Sequence, residues 1–146
     1  MSYKGFFKPK NPIKYKGDPT NIVYRSLWEF KLMTYLDVHP EVVEWSSEEF
    51  CVPYKSPVDG RIHRYFPDFK VKKKTAAGFE TVVIEVKPRA QVIPPVPNAT
   101  KKPTKRYIRE VMTYGINDAK WKAARKFCED RKWKFMIMTE IELGIK

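Results

Sequence analysis

The chain has 146 residues, 29 Lys+Arg against 17 Asp+Glu, a formal net charge of +12, and 42% hydrophobic and 14% aromatic content. That suffices for one domain with its own core, without a metal or disulfide staple, and is too apolar for a disordered basic tail. No apolar run approaches the ~20 residues of a membrane-spanning helix, the opening MSYKGFFKPK lacks the apolar stretch of a signal peptide, and Cys51 and Cys128 lack metal-type spacing, which fits free thiols in a reducing, cytosolic setting.

Residues 1–22 read as an extended arm, because Pro9, Pro12, Pro19, Gly5 and Gly17 interrupt any helix. Its aromatics, Tyr3, Phe6, Phe7 and Tyr15, are expected to pack on the body. Val23, Leu27, Phe30 and Met33 recur at helical spacing, so a helix is predicted over 23–36, capped by Thr20 or Asn21 and closed before Pro40. Strands are predicted from Val42 to Ser46, from Phe50 to Tyr54 and from Arg61 to Val71. Asp59-Gly60 turns between the last two, and Pro67 marks a bulge or an edge. After a turn at Ala77-Gly78, Thr81 to Lys87 is the strongest strand of the chain, stopped by Pro88. Five prolines make 88–103 a long loop of the kind that is functional or disordered. Helices are predicted over 105–114 and 119–131, separated by Gly115 and Asn117, and Phe135 to Met138 is a last buried strand. The fold class is α/β: a mixed sheet flanked by helices.

The charge is segregated. Residues 1–22 carry net +4, 87–109 net +7, 110–146 net +2, and 23–86 net −1. Positive blocks around an acidic middle suit a polyanion such as nucleic acid, although a solvated basic surface accounts equally well for charge alone.

The informative residues are Asp68, Glu85 and Lys87. Side chains alternate along a strand, so Val82, Ile84 and Val86 face one way and Val83, Glu85 and Lys87 the other. Glu85 and Lys87 thus project from one face, about 6.8 Å apart along the backbone. Charges beside a core strand are costly unless paired or metal-bound. Asp68, in Phe66-Pro67-Asp68-Phe69, ends the preceding strand of the hairpin and can reach the same metal. Read alone, Glu85 and Lys87 are also an ordinary same-face salt bridge, and Glu29 an exposed helix residue paired with Arg25 at i,i+4.

The ordered set resembles the PD-(D/E)xK nuclease superfamily: Pro67-Asp68, then Glu85-Val86-Lys87 after an apolar strand. Glu29, within Tyr24-Arg25-Ser26-Leu27-Trp28-Glu29, matches the extra helical acid of its resolvase-like and TnsA-like branches. From Tyr15-Lys16-Gly17-Asp18-Pro19 to Met138-Thr139-Glu140, nearly the whole chain resembles the TnsA-like head-completion nucleases of T-even-type phages. The TnsA pattern has Gln where Glu85 stands; this chain keeps the acid that metal chemistry prefers.

The resemblance implies a restriction-endonuclease-like domain over 23–146 behind the arm of 1–22. It implies a Mg²⁺-dependent deoxyribonuclease, with Mn²⁺ able to substitute. Asp68, Glu85 and the Val86 carbonyl would hold the ion, Lys87 would position water or offset developing charge, and Glu29 would bind a second metal or orient the water or Lys87. The implied role is endo- or exonucleolytic processing of packaged DNA in head completion before the tail joins, in the host cytoplasm or the virion. Portal or neck proteins are implied as partners. The alternatives are a DNA-end- or portal-binding assembly protein and a junction resolvase.

Double-stranded DNA would be gripped through its phosphates rather than read by sequence. The candidate contacts are Lys8, Lys10, Lys14, Lys16, Arg25, Arg89, Lys101, Lys102, Lys105 and Arg106, with the Lys70–Lys74 run as a further patch. His39 and His63 lack ligand partners, and no phosphate-cradling glycine loop is present. Glu41, Glu44, Glu48 and Glu49 read as a solvated strand edge, and Trp121, Phe127 and Trp133 as core.

Overall fold

The computed structural model describes residues 4–96 and 103–144. Tyr3, Lys101, Lys102 and the 97–102 part of the proline-rich loop lie outside the described residues. The N-terminal segment is extended but not loose. Strand β1 (Gly5–Phe6) pairs antiparallel with β2 (Val23–Tyr24), and a single 3₁₀ turn spans Pro12–Lys14. Phe7, Tyr15 and Ile22 are buried in the core, whereas Phe6 remains exposed.

Helix α1 spans Leu27–Val38, four residues later than the apolar spacing predicts. Its cap is Ser26, not Thr20 or Asn21: the Ser26 hydroxyl accepts the Glu29 N–H at 3.1 Å and donates to Glu29 Oε2 at 3.2 Å. Ser26-Leu27-Trp28-Glu29 has the spacing of a capping box, with the Glu29 carboxylate turned back onto the cap hydroxyl, and Val23–Tyr24 is left free to pair as a strand. Leu32, Met33 and Leu36 form the buried face.

Strand β3 (Val42–Ser47) follows, then the hairpin of β4 (Val52–Lys55) and β5 (Ile62–Tyr65) around Asp59-Gly60, with Gly60 at φ 70° in the left-handed region that glycine tolerates. The predicted single strand from Arg61 to Val71 is two strands in two sheets. Pro67 is fully buried between β5 and β6 (Phe69–Thr75). Lacking an N–H, it cannot continue a ladder, so the chain leaves one sheet there and enters the next with Asp68 at the junction. β6 and β7 (Gly78–Val86) form a hairpin in register Phe69↔Ile84, and β3 pairs on the other edge of β6.

After a short helix α2 (Arg89–Val92), helix α3 runs unbroken over Lys105–Asp130. The predicted break at Gly115 and Asn117 does not occur. A helical glycine costs only about 1 kcal/mol relative to alanine, less than fully burying one large apolar side chain returns, and α3 buries Trp121, Ala124 and Cys128. β8 (Lys134–Met138) then adds parallel to β7. The main sheet has the order β3-β6-β7-β8.

Two cores result. On one face of the sheet, Phe69, Val71, Val82 and Ile84 pack against Leu32, Met33 and Leu36 of α1. On the other, Trp121 and Ala124 of α3 pack with Val52, Tyr54 and Tyr65, and Phe135 and Ile137 of β8 join them. The alternation along β7 sends Val82 and Ile84 to the α1 core and Glu85 to the side of Tyr65 and α3.

Candidate active site

The site lies where β6 begins and β7 ends. The register Phe69↔Ile84 sets Asp68 opposite Glu85. The Val86 N–H donates to Asp68 Oδ2 at 2.8 Å, and the buried Tyr65 hydroxyl donates to Glu85 Oε1 at 2.8 Å. Lys87 Nζ stands 3.7 Å from Glu85 Oε2, and the Lys87 backbone N–H is fixed to the Met138 carbonyl at 3.0 Å. Among the described residues, Asp68 Oδ1 takes no hydrogen bond, while the Glu85 carboxylate has the Lys87 ammonium beside Oε2 and also feels the Asp68 backbone N–H.

The electrostatics match two carboxylates held together out of water. Burial, then the charge of Glu85, pushes the Asp68 carboxyl above the usual carboxylate range, against the Val86 N–H that favours its ionised form. Burial likewise raises the Glu85 carboxyl, opposed by the Tyr65 hydroxyl and the Lys87 charge. Glu85 is only 6% exposed. The Trp121 indole N–H faces the Tyr65 hydroxyl without hydrogen-bond alignment. Burial and the Glu85 charge also raise the Tyr65 phenol, so it remains a donor.

Glu29 is the third acid. Burial raises its carboxyl, and the Ser26 hydroxyl and Arg25 N–H oppose this. Its charge is felt at Asp68. It is not the exposed partner of Arg25: Arg25 Nη2 reaches Glu48 Oε2 at 3.3 Å instead. Glu48 is not part of a solvated edge either, although Glu49 beside it is exposed. Glu48 adopts a left-handed backbone at φ 53°, its N–H donates to the Asp68 carbonyl at 3.1 Å, and its charge acts on Glu29. Glu49 accepts the Tyr15 hydroxyl at 2.9 Å. A non-glycine residue at positive φ costs on the order of 1–3 kcal/mol and recurs at functional sites. Nothing in the sequence spacing marks Glu48.

The Asp68 and Glu85 carboxylates side by side, next to a strand-end carbonyl, suit a hard divalent cation that keeps several waters. Among the described residues no group of three His, Cys, Asp or Glu converges to cage a metal, so the protein would supply only part of a coordination shell.

The basic candidates fall into different roles. Lys8, Lys10, Arg89, Lys105 and Arg106 have exposed side chains. Lys14 instead donates to the Asp37 and His39 carbonyls at 3.1 and 2.8 Å, closing the C-terminus of α1. Lys16 lies 3.7 Å from Glu44 and Arg106 3.0 Å from Glu110. The Arg89 N–H donates to Glu140 Oε1 at 2.9 Å, anchoring α2 beside Lys87. Lys70 is folded over the Trp133 ring at 4.3 Å, and Lys72 over Phe79 at 4.8 Å. His63 pairs with Asp59 at 2.7 Å on the exposed hairpin and takes no part in the site.

Residues 39–140 match the family model described as TnsA-like endonuclease N terminal. A head completion nuclease of enterobacteria phage T4 is 42% identical over 142 residues, which span 96% of this chain and 93% of that protein.

Proposed function

The chain belongs to the TnsA-like endonuclease family, and from that premise we propose that it is a divalent-metal-dependent deoxyribonuclease acting on packaged DNA in phage head completion. The observation that carries the reading is the meeting of Asp68, Glu85 and Lys87 at the end of β7.

Asp68, Glu85 and the Val86 carbonyl would hold Mg²⁺, and Mn²⁺ would substitute. When bound, the ion supplies Lewis-acid polarisation of the scissile phosphate and a lowered pKa for an attacking water. The chain's own groups do the rest. Tyr65 fixes one oxygen of Glu85, so the other is presented at a set angle. The Val86 N–H does the same for Asp68. Lys87, 29% exposed along its side chain, reaches both the acids and solvent, where it holds the water or offsets charge developing on phosphorus. Glu29, in the first turn of α1, orients the water or binds a second ion. Lys8, Lys10, Arg89, Lys105 and Arg106 contact flanking phosphates, a grip insensitive to sequence. Work before tail joining places the protein in the host cytoplasm or the virion, beside portal or neck proteins.

The deciding experiment is cleavage of supercoiled and linear DNA with Mg²⁺ or EDTA, using wild type and Lys87→Ala. Nicking that needs Mg²⁺ and Lys87 supports the reading. Equal activity of the two proteins, or activity in EDTA, overturns it. A virus carrying Lys87→Ala that still yields infectious particles would shift the weight to a purely assembly role.

A further inference from the structure

Helix α3 brings another cation to the same centre. Its first turns, 105–113, are almost wholly exposed, and its later turns carry the buried Trp121, Ala124 and Cys128. Lys120 sits between these parts. Its ammonium lies 5.6 Å from the centre of the Tyr65 ring and 5.9 Å from that of Tyr54. The hydroxyl of that same Tyr65 is bonded to Glu85 Oε1, and the Lys120 charge helps to draw the Glu85 carboxyl down. Glu85 thus has Lys87 beside its Oε2, and the tyrosine bonded to its Oε1 carries Lys120 over its ring.

Lys120 is half-buried, yet among the described residues it makes no ion pair. Two neighbouring lysines of the helix do, Lys122 with Asp118 and Lys126 with Asp130, whereas the exposed Arg109 and Arg125 do not. The positions three and four residues either side of Lys120 are Ile116, Asn117, Ala123 and Ala124, so its own helix face offers no acid. The ammonium rests on two aromatic faces, which favour a cation without neutralising it, so its charge stays available to a phosphate. The surface of this centre that opens to solvent is where a DNA phosphate would enter. Eleven residues earlier, almost exactly three turns and about 17 Å along the helix, Arg109 lies on the same face, which sets a second cation along the path of a strand leaving Lys120.

We propose that Lys120 is a further catalytic residue, contributed by α3, which holds a non-bridging oxygen of the scissile phosphate from the Tyr65 side while Lys87 acts from the other. The proposal rests on the nuclease reading of the Asp68–Glu85 centre. No other group combines Lys120's position over Tyr65 with an unpaired charge among the described residues.

The test compares wild type, Lys87→Ala, Lys120→Met, Lys120→Arg and Lys122→Met. Methionine keeps an apolar stem over the tyrosine rings and removes the charge. Single-turnover cleavage at saturating DNA in Mg²⁺ should fall roughly 10²–10³-fold for Lys120→Met, the usual loss for one group aimed at transition-state charge. Lys120→Arg should recover part of it, and Lys122→Met should cleave as wild type. In EDTA, the slope of log binding constant against log salt should shrink by about 0.9 for Lys120→Met, the signature of one lost phosphate contact. A wild-type saturated rate for Lys120→Met overturns the proposal. So does an unchanged salt slope, or a loss that follows a fall in Tm and is not rescued by arginine, which marks a packing role. If Lys120→Met does not fold, Lys120→Gln is read in the same way. Absence of cleavage in wild type, or full activity in Lys87→Ala, would instead overturn the nuclease reading, and the EDTA salt slope would still decide the phosphate contact.

Discussion

The Val86 N–H donates to Asp68 Oδ2 at 2.8 Å. This bond ties the acid that precedes β6 to the strand that carries Glu85 and Lys87, and it uses one carboxylate oxygen while leaving the other free. An asparagine at position 68 can accept the same bond through its amide oxygen, but removes a negative charge beside Glu85. Asp68→Asn is therefore expected to abolish plasmid nicking while raising the Tm of the metal-free protein at pH 8. Each kcal/mol relieved shifts Tm by roughly 3 °C in a chain of this size. Calorimetry beside a nicking assay checks both, and a lowered Tm would show that the two charges are not in conflict.

The same pair sets a pH dependence. In the folded, metal-free protein both carboxyls are raised, so the folded state binds protons more tightly than the unfolded chain. Their contribution is fully present below the ordinary carboxylate range near pH 4 and is lost as pH rises toward the raised values. The exposed Asp18, Asp59, Glu80 and Glu142 are lowered by their partners and act in the opposite sense, but only below that range. Between pH 5.5 and 8 the metal-free Tm should therefore fall, and Mg²⁺ should restore it most at the upper end. Asp68→Asn should flatten both trends, and thermal scans across the range with EDTA or Mg²⁺ test this.

Tyr65 reaches the centre only through Glu85. Tyr65→Phe keeps the ring in the core and removes the donor to Oε1. By analogy with groups that orient metal ligands, cleavage or metal affinity should drop about 10–100-fold. The Mg²⁺ concentration for half-maximal cleavage is the measurement, and a rise in it with an unchanged DNA requirement is the expected pattern.

The parts of this arrangement that the sequence makes legible are those set by local rules. Alternation in Thr81 to Lys87 places Glu85 on one face, and the apolar periods locate most of α1, the last strand and both halves of α3, though not the continuity of α3 through Gly115. What it does not reveal depends on partners distant in sequence. Pro67 looks like a bulge in one strand, because nothing local says that β5 pairs with β4 while β6 pairs with β3 and β7. Glu48 looks like an edge acid, because its left-handed backbone and its bond to the Asp68 carbonyl exist only after β3 and β6 pair. Tyr65 and Lys120 are separated by 55 positions and meet through the packing of α3 on the hairpin. Ser26 and Glu29 have the spacing of a helix cap, but the apolar period alone puts the helix start at Val23.

That cap separates structure from chemistry at Glu29. Ser26→Ala removes the acceptor for the Glu29 N–H and should cost about 1 kcal/mol, near 3 °C in Tm, with the saturated cleavage rate retained. Glu29→Gln can still cap, because glutamine serves that position, so its Tm should stay close to wild type while cleavage falls sharply. Loss of stability without loss of rate in Glu29→Gln would reduce Glu29 to a helix cap.

The arm gives the last expectation. Asp37 is 2% exposed, and its carboxylate accepts the N–H groups of Lys10 and Asn11 at 2.8 and 3.0 Å. Two backbone donors of the arm thus depend on one side chain, while Tyr15 stacks edge-on to Trp45 with centroids 4.8 Å apart. Asp37→Ala leaves both donors without a partner, at about 1–3 kcal/mol for a buried group, whereas Asp37→Asn keeps one acceptor. Trypsin should then cut the alanine variant after Lys10 or Lys14 well before wild type, with the asparagine variant between them. Because the arm carries basic residues and also closes the core around Trp45, its release should weaken DNA binding and lower Tm together. If DNA binding falls while proteolysis and Tm do not change, the arm acts through charge alone and Asp37 does not hold it.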